Sequence, residues 1–475
     1  MAPSEVDLLV VQRGLVIAPA GCGKTQLIID ALSRQAGTKP VLVLTHTNAG
    51  VAALRTRLDR ACVPSASYRL ATIDGFAIRL VSTFPAAAQI TADQLKAERP
   101  PYRAIRVAAC NILKTGRIND VIQATYARLF VDEYQDCSSW QHGIVYYLSH
   151  MLPTCVLGDQ LQAIFGFGDD GLADWEKHVG AHFPLVAELT TPWRWINAGA
   201  GELGDWVLQA RGRLLAGQEI DLRYAPPAVE WIELDGSHND YAKQLKAGAT
   251  KSPSADGHVL IIGDSMNPAS QRRLASQIPG AVVVEAVDLR DLVNFAERFK
   301  IDGANAVQQI AEFAATLMTN VAPDGLVKRL ETIRAGRSRK PVSTVEQSAL
   351  DFAAAPSHIG AARLLSELNR ESGVRVHRPT VLRCALRALN DCSGTGALTF
   401  RETAVRSREQ YRMLGRTLPR RGVGSTLLLK GLEGEVCVII EGHDLNAKNL
   451  YVAITRGSNR LIVCSRTPIL PARKG

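Results

Sequence analysis

Leu15-Val-Ile-Ala-Pro-Ala-Gly-Cys-Gly-Lys-Thr25 decides how this chain folds. Leu15–Ala18 is a short β-rich run, and Gln26–Arg34 has a helical pattern, so the glycines mark a strand-to-helix turn. Glycine at 21 and 23 lets backbone N–H groups come close to phosphate oxygens. The helix N-terminus that follows adds a favourable dipole. In such a loop Lys24 reaches the terminal phosphates and Thr25 holds Mg²⁺. The expected nucleotide-binding residues are therefore Ala18, Pro19, Ala20, Gly21, Cys22, Gly23, Lys24, Thr25 and Gln26.

The alternation continues outward. Val41–Thr45, Leu129–Asp132 and Cys155–Asp159 are brief apolar runs ending in polar or small residues, with helical stretches between several of them. This is the pattern of a parallel sheet covered by helices. Val259–Gly263 and Ala281–Glu285 read as strands around a helix over Ala269–Ile278. A last α/β unit has strands at Val436–Glu441 and Leu461–Ser465. The expected fold is α/β, with two parallel-sheet lobes, each carrying a helical insertion. Residues 1–84 and 126–225 form the first lobe, with 85–125 a reduced helical insertion. Residues 226–286 and 421–475 form the second, with 287–420 a compact helical insertion. The basic segment Ala335–Val342 reads as a loop.

Composition agrees with a multidomain globular protein. The 475 residues are 46% hydrophobic and 21% charged, with a formal net charge of +9, and this length exceeds one compact core. The basic surplus favours a polyanionic partner. Nine scattered cysteines without a Cys-x-x-Cys pair argue against a zinc site or disulfide framework and for reduced, cytoplasmic thiols. Met1–Val11 lacks a basic n-region and reads as the approach to a first strand. No apolar run is long enough to span a bilayer.

Leu129–Asp136, Leu-Phe-Val-Asp-Glu-Tyr-Gln-Asp, delivers two adjacent carboxylates at the end of an apolar strand. Asp132 is placed to hold Mg²⁺ and Glu133 to take a proton from an attacking water. This motif, following the glycine loop, resembles the UvrD/Rep branch of superfamily 1 helicases in a compact form. The resemblance implies two RecA-like lobes and an ATP- and Mg²⁺-dependent DNA helicase or single-stranded DNA translocase, moving 3′ to 5′. Single-stranded or tailed duplex DNA is then the expected partner.

Further motifs follow in family order. Val43–Asn48 resembles a strand-contacting segment, which makes His46 and Asn48 nucleic-acid candidates. Thr72–Phe76 resembles the next short motif and adds Thr72, with Asp74 standing where His is common. Leu157–Phe167 resembles the coupling motif, in which Gln162 senses the terminal phosphate. Phe165 and Phe167 lie where the family uses aromatics near bases, and stacking is worth about 1–3 kcal/mol per base. Thr191–Trp195 resembles the segment whose Arg binds the terminal phosphate from the second lobe, which points to Arg194. Lys430–Glu435 resembles a nucleotide-facing motif with Gly431 and Glu433. Leu450–Arg456 resembles the last motif, with Arg456 as the arginine finger.

The chain also departs from the family. Gln12 is too close to Lys24 to be the usual upstream adenine reader, and Leu427 stands where a His is usual. The insertions are short, which suits a motor that translocates without unwinding well alone. Basic side chains cluster at Lys328, Arg329, Arg334, Arg337, Arg339 and Lys340, and again at Arg401, Arg406, Arg408, Arg412, Arg416, Arg420 and Arg421. A face of that kind gives salt-dependent binding without sequence preference. The second reading is a nucleotide-gated DNA-binding subunit, acting with a nuclease or another partner protein in a bacterial anti-phage defence system such as Gabija. A nucleotide kinase shares the loop but does not require the Gln162 segment or Thr455-Arg456.

Overall fold

Successive side chains along a strand face opposite ways, so a strand buried on both faces feeds two cores. Around the glycine loop β1 (Arg13–Ile17), β2 (Val41–Thr45), β4 (Arg128–Val131) and β5 (Thr154–Gly158) obey that rule, while β3 (Tyr68–Thr72) is partly buried and β6 (Leu185–Glu188) is largely exposed. They form one sheet in the order β3-β2-β4-β5-β1-β6, and every pairing is parallel. The computed structural model describes residues 6–96, 100–166, 170–392, 398–414 and 418–471. Its architecture is α/β on two six-stranded parallel sheets.

The chain divides into two units, residues 1–233 with 441–475, and residues 234–440. In the first unit, Leu15, Leu42, Leu44, Leu129, Val131 and Val156 enter a core shared with helices Ile73–Thr83, Tyr102–Lys114 and Ser139–Leu148. Val16, Val41, Val43, Phe130, Cys155 and Leu157 enter the opposite core, shared with helices Lys24–Arg34 and Asn48–Arg60. Burying each such side chain contributes about 1.5–3 kcal/mol. Truncating one, for example Leu42→Ala at 1% exposure, is expected to cost about 2–5 kcal/mol. The stretch read as an insertion supplies Ile105, Ala109, Ile112 and Leu113 to the first of these cores. The same unit holds the parallel pair Val229–Glu233 with Gly457–Ser465.

In the second unit, strands Val282–Val283, Arg421–Gly424, Val259–Ile262 and Gly434–Ile439 pair in that order, all parallel. Helix Pro268–Gln277 covers the region read as helical between the two strands. From Arg290 to Leu414 the described residues are a run of helices around one apolar core that includes Leu317, Phe352, Leu364, Val381 and Leu389. The basic stretch 335–342 is the connection between helices Pro323–Arg334 and Thr344–Ala354.

The parallel order has one consequence for chemistry. Open parallel sheets gather ligands at the carboxyl ends of their strands. The ends of β1, β2, β3, β4 and β5 lead directly into the glycine loop, His46, Thr72, Asp132-Glu133 and Asp159–Gln162.

Candidate nucleotide and nucleic-acid site

Gly21 and Gly23 both adopt positive φ, +75° and +89°. Gly23 is the N-cap of helix Lys24–Arg34 and has no side chain to satisfy the first-turn amides, which leaves them for an anion. The loop is tightly seated: a Cβ on Gly21 would lie 2.6 Å from the Trp195 ring. Its backbone is also bonded from outside, with Ala20 N donating to Tyr451 Oη at 3.2 Å and Arg194 N donating to Gly21 O at 3.0 Å. Thr25 is half-buried, while Gln26 is exposed and donates to Asp30 within its own helix at 2.7 Å.

Lys24 lies between the two carboxylates that end β4. Its Nζ is 2.9 Å from Asp132 Oδ1 and also bonds Glu133 Oε1. Burial alone would push the Lys24 ammonium toward neutrality, but the two carboxylates outweigh it and hold it charged. Glu133 sits in the left-handed region at φ 54°, which turns the chain sharply after β4 and sets its carboxylate beside the lysine. The donor set fits a magnesium nucleotide: an ammonium and uncapped amides for phosphate, and Thr25 with Asp132 for the ion.

A polar relay leads away from this pair. Gln135 Nε2 donates to Glu133 Oε2 at 2.5 Å, and Gln135 Oε1 accepts from Asp159 N at 3.1 Å. Asp159, fully buried, accepts from Gln162 Nε2 at 3.3 Å and from Arg211 Nε at 3.2 Å. Arg211 reaches on to Glu188 at 2.7 Å. Gln162 is thereby linked to Glu133 through the side chain and backbone amide of Asp159 and the side chain of Gln135. The sequence pointed to Gln162 and Glu133; it gave no sign of Arg211 or Tyr451, and Gln135 and Asp159 were visible only as letters inside motifs.

Arg194 and Arg456 approach each other through one backbone segment of the same unit. Arg194 Nη1 donates to Thr455 O at 2.6 Å, and its guanidinium lies 5.4 Å from the centroid of the Trp195 ring. Trp195, fully buried, donates its indole N–H to Gly457 O at 2.9 Å. Arg456 is 3% exposed and donates to Val452 O at 2.9 Å and Thr455 Oγ1 at 2.7 Å. Residues 192–195 and 455–457 thus pack as one body beside the glycine loop. Gly431 (φ +81°) and the exposed Glu433 lie in the second unit, in the turn before strand Gly434–Ile439.

Of the nucleic-acid candidates, His46 and Phe165 come together, their rings 5.3 Å apart and tilted by 49°. Asn48 is exposed at the start of helix Asn48–Arg60. Thr72 caps the helix after β3 by accepting from Gly75 N at 2.9 Å. Phe167 lies outside the described residues, as does Arg416. The basic clusters are partly spent on internal partners: Arg329 pairs with Glu346, Arg408 and Arg412 share Glu409, and Arg420 meets Asp256. Among the described residues no helix is long and apolar enough to cross a membrane.

Residues 101–170, which contain Asp132, Glu133, Asp159 and Gln162, match the family described as the UvrD/REP helicase N-terminal domain. Over those residues the chain is similar to the UvrD/REP helicases. No curated protein matches it. Among solved structures, the arterivirus nonstructural protein 10 helicase with DNA is similar at 11% identity and a TM-score of 0.28, over 53% of this chain and 48% of that one. The chain therefore spans about half the length of the arterivirus protein. The Pif1 helicase from Candida albicans is similar at 12% identity and a TM-score of 0.40, over 96% of this chain and 91% of that one.

Proposed function

We propose that this chain is an ATP-driven motor that moves on single-stranded DNA and separates tailed duplexes weakly, with 3′ to 5′ polarity. The observation that carries the reading is the unbroken relay from Lys24 and Glu133 through Gln135 to Asp159 and Gln162. It ties the group expected to activate water to the segment that leads to Phe165 and His46, where bases are expected to stack. Magnesium supplies charge neutralisation on the phosphates when bound. Lys24 and the first-turn amides bind the terminal phosphates, Glu133 holds the proton of the attacking water, and Arg194 and Arg456 offset developing charge. The cytoplasm is the compartment that suits free thiols and a DNA substrate.

The test is ATP turnover with and without single-stranded DNA, alongside strand displacement on duplexes with 3′ or 5′ tails. DNA-stimulated turnover with displacement from the 3′ tail is expected. Turnover indifferent to DNA overturns the motor. Stimulation without displacement favours the nucleotide-gated subunit of a defence complex.

A further inference from the structure

Arg106 makes a three-way ion pair that none of the roles above uses. Its Nε and Nη2 meet the two oxygens of Asp74 at 2.7 and 2.8 Å, and its Nη1 meets Asp170 Oδ2 at 3.2 Å. The groups are largely sheltered, with side-chain exposures of 17% for Arg106, 22% for Asp74 and 9% for Asp170. Gln141, fully buried, adds a bond to Asp74 Oδ1 at 3.1 Å. The same Gln141 closes the capping box that starts helix Ser139–Leu148, just after the Asp132–Asp136 carboxylates.

The two carboxylates lie on different candidate strand-contacting segments. Asp74 is in the first turn of the helix that Thr72 caps. Asp170 follows the segment bearing Phe165, and the backbone beyond it is pinned as well: Ser139 N donates to Gly171 O and Ala173 N to Cys137 O, both at 2.9 Å. At its other end that segment is fixed by Asp159 and Gln162 within the relay. The carboxylate at position 74 thus has its own cation.

We propose that Arg106 is a positioning residue that registers the Thr72 helix against the Phe165 segment, so that DNA engagement is read out at the ATP site. This rests on the motor reading above. A planar guanidinium suits the task, because its fork fixes two carboxylates in direction as well as distance. A lysine supplies the charge without the fork.

The experiment titrates an oligo-dT strand against ATP turnover by the full chain, for wild type, Asp170→Asn, Arg106→Lys and Phe165→Ala. Asp170→Asn removes one arm and leaves the Asp74 pair. Turnover without DNA and the KM for ATP are expected to stay at wild-type values in Asp170→Asn and Arg106→Lys. The DNA concentration for half-maximal stimulation is expected to rise by roughly 3- to 100-fold, the span of couplings within one ion-pair network. Adding Asp170→Asn to Phe165→Ala is expected to change nothing further, because both act through one segment. Wild-type half-saturation in both Asp170→Asn and Arg106→Lys overturns the proposal. So do additive effects in the double variant, or a lowered thermal midpoint with an unchanged DNA response. A wild-type enzyme indifferent to DNA instead overturns the motor reading, and the inference with it.

Discussion

Lys24 Nζ lies 2.9 Å from Asp132 Oδ1 and is bonded at the same time to Glu133. The ammonium therefore serves the folded chain itself, since it neutralises two carboxylates that one strand end forces together. Lys24→Ala is expected to abolish ATP turnover and also to cost about 3 kcal/mol or more of stability, the usual result of stripping one partner from a sheltered ion pair. Phosphate release and urea unfolding measure the two losses. Wild-type stability in the variant would show that the carboxylates do not need the lysine.

Glu133→Gln separates catalysis from architecture. The amide keeps the shape of the side chain and one of the two oxygens that now serve Lys24 and Gln135, but it takes up no proton. Turnover is expected to fall by about 10² to 10⁴, the usual worth of a general base, with binding of a fluorescent ATP analogue retained. Residual turnover near the wild-type rate would remove Glu133 from its assigned role.

Two glycines with the same backbone need but different surroundings make a matched pair. Gly21 (φ +75°) has the Trp195 ring 2.6 Å from where a Cβ would stand, whereas Gly431 (φ +81°) has no described heavy atom within 4 Å of that point. Both alanine variants pay for a left-handed residue, about 1–2 kcal/mol. Only Gly21→Ala must also displace the loop or the tryptophan, so its nucleotide affinity is expected to fall at least about tenfold, since 1.4 kcal/mol is a factor of ten. Equal nucleotide affinities in Gly21→Ala and wild type, measured by calorimetry, would refute the tight seating of the loop.

Stability should depend on pH through a histidine cluster on helix Ser139–Leu148 and its neighbours. Burial holds His142 and His182 neutral down to about 4, against an ordinary value of 6.5. His142 shares a 2.8 Å hydrogen bond with Tyr134 Oη and stacks on His178, and His182 lies against Tyr146 and is 2.7 Å from Ser149 Oγ. The unfolded chain takes up these protons first, so the contribution is fully present above pH 6.5 and is lost as pH falls toward 4. A loss on the order of 1–3 kcal/mol between pH 7.5 and 5 is expected in urea unfolding, reduced in His142→Phe. An identical pH profile in that variant would exclude His142 as a source.

The parts of the site legible in sequence are those that chemistry requires to be consecutive. A glycine loop and an Asp-Glu pair are short because one turn must hold them, and Val41–Thr45 could be read as a strand because its apolar run is bounded on both sides. What stayed hidden depends on the sheet order. Gln135 meets Asp159 because β4 and β5 are neighbours, and Arg211 reaches Asp159 from the middle of helix Gly201–Leu215 with no local signal. Arg106 lies within helix Tyr102–Lys114, and its partners are 32 and 64 residues away. Pro-rich punctuation made the region around it look like an insertion, although its apolar face lines the core of the first sheet.

Trp195 and Gly457, joined by one hydrogen bond, are 262 residues apart. Residues 441–475 belong to the first unit but are synthesised after all of the second. During translation the glycine loop is made early and waits, without Tyr451, Thr455 and Gly457, for the whole of residues 234–440 to emerge. Such long-range closure is slow to form, so the glycine loop gains these contacts only after residues 441–457 have emerged. A nascent chain that has not reached residue 451 therefore carries the glycine loop without the segment that bonds Ala20, Arg194 and Trp195.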